Sequence, residues 1–371
     1  MPETPASEPI REIRINPVVP TESVLVATAR GMRPKAREAA AKREREDHVS
    51  SCPFCRGNEH LTPPALYTYP DLPDWHIRIV ENLYPVLGDD RRRHNLSLGL
   101  QQTIDGYGRH EVIVDHDRHG IAVHEMETTH IADLFGAYQH RMRALYRSNP
   151  HLRYVLVFKN SGPAAGASLS HTHSQIIAMP VVPHNVQAEV EHSLVYYRKH
   201  HHCIFCALID EALTFEATIY DRASGAIRRQ IHVGQYVIER GTRFIAIKPF
   251  ASRYEWEIQI LPLAHSAEFL DSSEEDLQDL ARVLQRAMAR LHAVIGDVQF
   301  NYFLHSIPHA PESDDHRPSY HWHLEICPRT TIPSGFELGS GLFVNTVSPE
   351  DAAARLRAAL DAPLQEAPPG R

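Results

Sequence analysis

Thiols are scarce in this chain, and basic side chains are outnumbered by acidic ones. Only five cysteines occur in 371 residues, and 38 lysines and arginines face 46 acidic residues. So few cysteines exclude a disulfide-stapled scaffold. A formal charge of −8 excludes a dedicated nucleic-acid binder, whose phosphate contacts need a basic face, but leaves room for a small anionic substrate met by a few arginines. No apolar run reaches the length of a bilayer span, so no membrane partner is expected. The first nine residues lack the basic start and apolar middle of a secretory signal, and the expected location is the cytoplasm. What remains, 43% apolar and 23% charged, is the balance of a folded globular chain, long enough for two domains. Histidine is the one residue in excess, with 26 copies.

The few cysteines are placed with order. Four of them form Cys52-x-x-Cys55 and Cys203-x-x-Cys206, a spacing that reads as metal binding or redox chemistry in a reducing compartment. Cys327 is left over and reads as a buried free thiol.

One series of elements is written twice. The first copy runs from Cys52-x-x-Cys55 to an apolar strand, Glu111 to Val114, and then His119. An amphipathic helix follows from about Thr128 to Ser148, with Ile131, Leu134, Phe135, Tyr138, Met142 and Leu145 on one face. A strand, Tyr154 to Phe158, then leads through a loop of small residues into His171-Thr172-His173-Ser174-Gln175. The second copy has Cys203-x-x-Cys206, the strand-like run Trp256 to Leu261, His265, and a helix over Ser273 to Ile295. Ser272 with Glu275 reads as its capping box. A strand, Phe300 to Leu304, then precedes His321-Trp322-His323. From second cysteine to lone histidine the copies span 64 and 59 residues, and from there to His-x-His 52 and 56. The expectation is an α+β fold of two tandem units related by internal duplication, 12–187 and 196–350. Each would be an antiparallel sheet with one main helix on one face, the units joined edge to edge or around a shared cleft.

Zinc takes four tetrahedral ligands from thiolate and imidazole, and Cys-x-x-Cys is a common half-site. The duplicated pattern predicts Cys52, Cys55, His119 and His171 around one ion, and Cys203, Cys206, His265 and His321 around a second. With all four places filled by protein, both ions would be structural. Neither pair follows a βαβ pattern, which argues against redox chemistry.

Residues two apart on a strand share a face. His171, held by zinc, would therefore display His173 and Gln175 beside it, under the small-residue loop Asn160 to Ser170, whose backbone N–H groups suit a phosphate. Imidazole attacks phosphorus near neutral pH without a base to activate it. His173 is the candidate nucleophile.

The stretch Phe158-Lys159-Asn160-Ser161-Gly162 through His171-Thr172-His173-Ser174-Gln175 resembles the active-site segment of the galactose-1-phosphate uridylyltransferase family, in the histidine-triad superfamily. The resemblance extends from Arg30-Gly31-Met32-Arg33-Pro34 to Tyr320-His321-Trp322-His323. It implies two tandem histidine-triad-like units, the first of them catalytic, and a covalent nucleotidyl-histidine on His173. Gln175 would hydrogen-bond the transferred phosphoryl group, favouring transfer over hydrolysis because glutamine is neither acid nor base. Gly166 and Ser168 match phosphate-contacting positions, Asn160 a support of the nucleotide site, and Arg30 and Arg33 arginines that reach substrate phosphate. Asn82 matches the first member of an Asn-Asp pair on the uracil or ribose side. The implied partners are a nucleotide sugar with a sugar 1-phosphate or phosphate, in a homodimer whose sites are completed by the neighbour.

The pattern departs from the family in three places. Leu83 stands where the Asp is found; a Glu-plus-three-His metal set would correspond to Glu189, His305, His321 and His323, competing for His321; and Gly335 to Gly341 does not match the hexose-contacting segment. The leading reading is a UDP-glucose:hexose-1-phosphate uridylyltransferase. An adenylyltransferase resembling ADP-glucose phosphorylase, toward which these departures lean, is the alternative. A zinc-stapled nucleotide-binding protein without catalysis is the reading from another class.

Overall fold

The computed structural model describes residues 9–32, 46–89, 96–309 and 316–361. Ten short segments rich in Ile, Val, Leu and aromatic residues take the extended conformation such side chains favour. They are β1 (Ala65–Tyr69), β2 (Ile77–Glu81), β3 (Arg109–Val114), β4 (Tyr154–Ser161) and β5 (His173–Met179), then β6 (Val237–Arg240), β7 (Phe244–Ile247), β8 (Ile258–Pro262), β9 (Phe300–His305) and β10 (His323–Pro328). All ten belong to one antiparallel sheet, ordered β1-β2-β3-β5-β4-β9-β10-β8-β7-β6. Each half follows the same path from its outer edge inward. The halves meet edge to edge where β4 pairs with β9, Phe158 opposite Phe303.

Two long helices, α1 (Thr128–Ser148) and α4 (Glu274–Ile295), cover one face. The apolar stripe expected of α1 is buried in full, and Leu277, Leu280, Leu284, Met288 and Leu291 do the same for α4. Their side chains join Ile113, Val157, Ile176, Tyr302, Leu324 and Ile326 in one core that runs under both halves. Removing one such buried leucine side chain costs on the order of 2–5 kcal/mol. At the seam the hydroxyls of Tyr138, Ser174 and Tyr302 form a closed buried cluster.

The fold is α+β with a large antiparallel sheet, and several details differ from the sequence expectation. The cap of α4 is Ser273 with Asp276, not Ser272 with Glu275. Ser272 gives its N–H to Phe269 O and so closes the preceding turn. Each unit was expected to carry one main helix, but Val186, Val190, Ile204 and Phe205 bury two more, α2 (His184–His200) and α3 (Ile204–Thr214). α2 runs through the expected junction between 187 and 196, and Cys203 stands at the N-terminal flank of α3. The strands Arg11–Ile15 and Ser23–Ala27, assigned by spacing to the first unit, form a small sheet with Phe343–Asn345. Arg14 anchors them to the second half through Glu350 and the Phe250 carbonyl. Two shorter helices, α5 (Gly335–Ser340) and α6 (Pro349–Asp361), follow. No helix among the described residues is long and apolar enough to cross a membrane.

Candidate active site and metal-binding clusters

The face of the sheet opposite α1 and α4, on which α2 and α3 pack in the second half, carries the polar clusters. On β5, Ser174, Ile176 and Ala178 point toward the helices, so His173 and Gln175 point the other way. His173 is only 6% exposed, packed against the Phe54 ring. Its Nδ1 lies 2.7 Å from the His171 carbonyl. A carbonyl only accepts, so Nδ1 carries the proton and Nε2 keeps its lone pair. Burial holds the imidazole below its ordinary pKa, which leaves the ring neutral and nucleophilic near pH 7.

On the opposite face a buried network fixes this stretch of backbone. Lys159 Nζ donates to Asp115 Oδ2 at 2.5 Å, to Thr172 Oγ1 at 2.7 Å and to the His173 carbonyl at 3.2 Å. Ser174 Oγ adds a bond to the same Asp115 oxygen. Register is thus pinned directly behind His173.

The loop after β4 turns on two glycines in the left-handed region, Gly162 and Gly166, with φ of 85° and 86°; side chains with a Cβ rarely adopt that conformation. Gly166 and Ser168 are exposed along the loop. Asn301 of the second half donates to Asn160 Oδ1 and to the Ala165 carbonyl, both at 2.8 Å, and is itself held by Arg329. The carboxamide of Asn160 is therefore oriented from the other half of the molecule, its amino group turned toward Gly166.

Beside His173, the ligand atoms of Cys52, Cys55, His119 and His171 all lie within 4.8 Å of one another. Cys55 Sγ is 3.5 Å from His119 Nδ1 and 3.6 Å from His171 Nδ1, and Cys52 Sγ is 3.6 Å from His171 Nδ1. A tetrahedral zinc with ordinary Zn–S and Zn–N bonds sets the S···N edge at about 3.6 Å. The outer nitrogens are engaged as zinc-bound imidazoles usually are: His171 Nε2 meets the His116 carbonyl, and His119 Nε2 meets Ser170 Oγ. Cys203, Cys206, His265 and His321 form a second such group, with Cys206 Sγ 3.4 and 3.6 Å from the two Nδ1 atoms. There the outer nitrogens meet the Arg317 and Pro262 carbonyls. Hydrogen bonding from Cys206, and then from the two histidines, pulls the Cys203 thiol toward thiolate against its burial. Both donor sets fit zinc. His321 sits with the cysteines; the competing set is a different cluster, Glu189, His305, His323 and Glu325. Cys327 is a buried free thiol.

The remaining expected residues are scattered. Asn82 lies beside His110, its side-chain carbonyl accepting from the Tyr84 N–H and its amide nitrogen 3.2 Å from His110 Nε2. Arg30 lines a separate hollow with Arg253, Tyr254, Ser334 and Glu337 of the second half, away from His173. Arg33 lies outside the described residues. Sequence reading missed His110, Lys159, Asp115 and Asn301. The alternation of β3, which sets His110 on the same face as Val112 and Val114, was the one available signal.

Two family models match the chain. Residues 4–183 match the galactose-1-phosphate uridyl transferase N-terminal domain, and residues 108–367 match a domain of unknown function, DUF4921. An ADP-glucose phosphorylase from Arabidopsis thaliana is 31% identical over 93% of this chain and 92% of its own length. A galactose-1-phosphate uridylyltransferase from Thermotoga maritima is 26% identical over 93% and 98%. The crystal structure of an Arabidopsis thaliana ADP-glucose phosphorylase with bound ADP-glucose superposes with a TM-score of 0.77 at 30% identity, covering 94% of this chain and 99% of that one.

Proposed function

Because the chain belongs to the galactose-1-phosphate uridylyltransferase family and is a nucleotidyltransferase, we propose that it carries a nucleoside monophosphate on His173, from a nucleotide sugar to a phosphate acceptor. The observation that carries this reading is the neutral, buried imidazole with Nδ1 tied to the His171 carbonyl and Nε2 without a hydrogen-bond partner among the described residues. Nε2 attacks the α-phosphorus, an N–P bond forms, and the P–O bond to the sugar 1-phosphate breaks. An acceptor phosphate oxygen then attacks the same phosphorus, the N–P bond breaks, and His173 returns to its starting state. Placement and charge neutralisation supply the acceleration. The loop carrying Gly166 and Ser168 holds phosphate, with Asn160 supporting the nucleotide. Zinc on the two Cys₂His₂ sets clamps the cysteine segments to the sheet.

The 12–187 unit is the catalytic domain in this reading and 196–350 a duplicated copy turned scaffold. His323 repeats the arrangement of His173, with Nδ1 3.1 Å from the His321 carbonyl. Glu189 and Glu325, however, stand 3.8 and 3.7 Å from its Nε2, and two carboxylates there repel a phosphate. Arg30, remote from His173 in its own chain, serves the site of a second copy in a homodimer.

For the transferred group, AMP from ADP-glucose to phosphate is favoured by Leu83 and by the 31% identity to an ADP-glucose phosphorylase over nearly the whole length. UMP transfer to a hexose 1-phosphate is supported by the Thermotoga relative and the matching N-terminal family model. The deciding assay supplies ADP-glucose with phosphate, and UDP-glucose with galactose 1-phosphate, to the purified zinc-loaded protein. Release of glucose 1-phosphate only in the first mixture assigns adenylyl transfer, and only in the second uridylyl transfer. Continuous release of free monophosphate from either nucleotide sugar with the acceptor left out refutes transfer.

A further inference from the structure

His110 takes no part in the chemistry described so far, yet it is buried on the same face of the sheet as His173 and touches Gln175, two residues beyond the nucleophile. It stands on β3, and Gln175 stands opposite Val112 of the same strand. Its Nε2 lies 2.8 Å from Gln175 Oε1, and its Nδ1 faces the backbone N–H of Val86 at 3.3 Å. A neutral imidazole has one N–H, and the Val86 donor decides where it sits. Nδ1 must accept, so Nε2 carries the hydrogen and gives it to the Gln175 carbonyl. The opposite tautomer would set N–H against N–H at Val86 and turn the carboxamide of Gln175 over.

We propose that His110 is a positioning residue that locks the Gln175 carboxamide with its NH2 group facing the phosphorus attacked by His173. The proposal rests on the nucleotidyl-transfer reading. With the carbonyl engaged by His110, the two amide hydrogens are the only part of Gln175 left to meet the phosphoryl oxygens, whose negative charge grows during transfer. A carboxamide free to flip would present its oxygen to that charge for part of the time. An amide that must be reoriented at the moment of reaction stabilises less than one already fixed. Asn82 is the competing neighbour: its NH2 group, oriented by the Tyr84 N–H on Oδ1, lies 3.2 Å from Nε2 and has no acceptor there once Nε2 carries the hydrogen. The backbone N–H of Val86, which cannot turn over, and the shorter 2.8 Å contact to Gln175 Oε1 decide for Nε2–H.

The test is a double-mutant cycle on the full chain, read by the single-turnover rate at which α-labelled nucleotide sugar labels the protein, with zinc content measured alongside. His110→Phe keeps a ring but no donor, and His110→Gln keeps an N–H donor at similar reach. The expected result is a labelling rate about tenfold or more lower in His110→Phe, partial recovery in His110→Gln, and unchanged zinc. In a Gln175→Ala background, His110→Phe then costs less than about twofold, because the only group it acts through is gone. An equal loss in both backgrounds, or no loss in either, overturns the proposal. Nitrogen-15 spectra of labelled histidine provide a readout that needs no turnover. His110 protonated on Nδ1 overturns the proposal even in an active enzyme. If the wild type is never labelled, the transfer reading itself fails, while protonation on Nε2 leaves the contact to Gln175 standing.

Discussion

Replacing Asp115 by alanine tests the structure behind the nucleophile. Lys159 and Asp115 have side chains 3% and 1% exposed, with Nζ 2.5 Å from Oδ2. Without the carboxylate, the ammonium retains only neutral acceptors, Thr172 Oγ1 and the His173 carbonyl. Stranding a buried charge in this way costs about 3–5 kcal/mol, a large share of the roughly 5–15 kcal/mol that holds a typical protein together. Removing both charges, in Asp115→Leu with Lys159→Met, avoids the stranded ion and costs less than about 2 kcal/mol. Urea unfolding of the zinc-loaded protein, followed by the fluorescence of the buried Trp75, Trp256 and Trp322, measures both. A loss below about 1 kcal/mol in the single variant, or an equal loss in the double variant, would refute the reasoning.

Asn301→Ala, which frees Asn160 and the Ala165 carbonyl, should lower kcat/KM about tenfold without changing zinc content, since one or two hydrogen bonds are lost at the phosphate loop; full activity would remove the second half from the site. Cys55→Ser should cost about one equivalent of bound zinc per chain and destabilise β5, measured by metal analysis and denaturation; unchanged zinc content would contradict the first metal assignment. Glu350 adds a pH dependence: burial acts to raise its pKa, but Arg14 and Tyr236 outweigh it and hold the value below the usual carboxylate range. Its stabilisation is present above the unfolded value of about 4.3 and is lost as pH falls through the depressed folded value. Glu350→Gln should therefore be less stable at pH 7 and show a flatter loss below about pH 5 in acid titrations of stability; parallel curves would remove this ion pair from the account.

The sequence exposed those parts of the molecule that rest on local periodicity or regular spacing. The stripe of α1 was readable because its apolar residues recur at helical spacing, and the two cysteine-histidine groups because their intervals recur. Placing His173 and Gln175 on one face needed only the alternation of a strand, whereas His171, expected on the same strand, lies in the bend just before β5. What stayed hidden depends on partners far apart in the chain. His110 meets Gln175 across a strand pair, Asn301 reaches Asn160 from the other half, and Lys159 finds Asp115 across the sheet. The N-terminal strands pack on the second half because Arg14 is neutralised by Glu350, a pairing that no periodicity announces. α2 was missed because its buried face is narrow, limited to Val186, Glu189, Val190 and Ser193.

The most direct measurement is mass spectrometry of the acid-sensitive adduct formed when the protein meets a nucleotide sugar without acceptor. The account predicts one nucleoside monophosphate per chain, on the peptide bearing His173, lost on adding phosphate acceptor and never formed in His173→Ala with its zinc intact. An adduct on any other residue, or turnover that persists in His173→Ala, would contradict it.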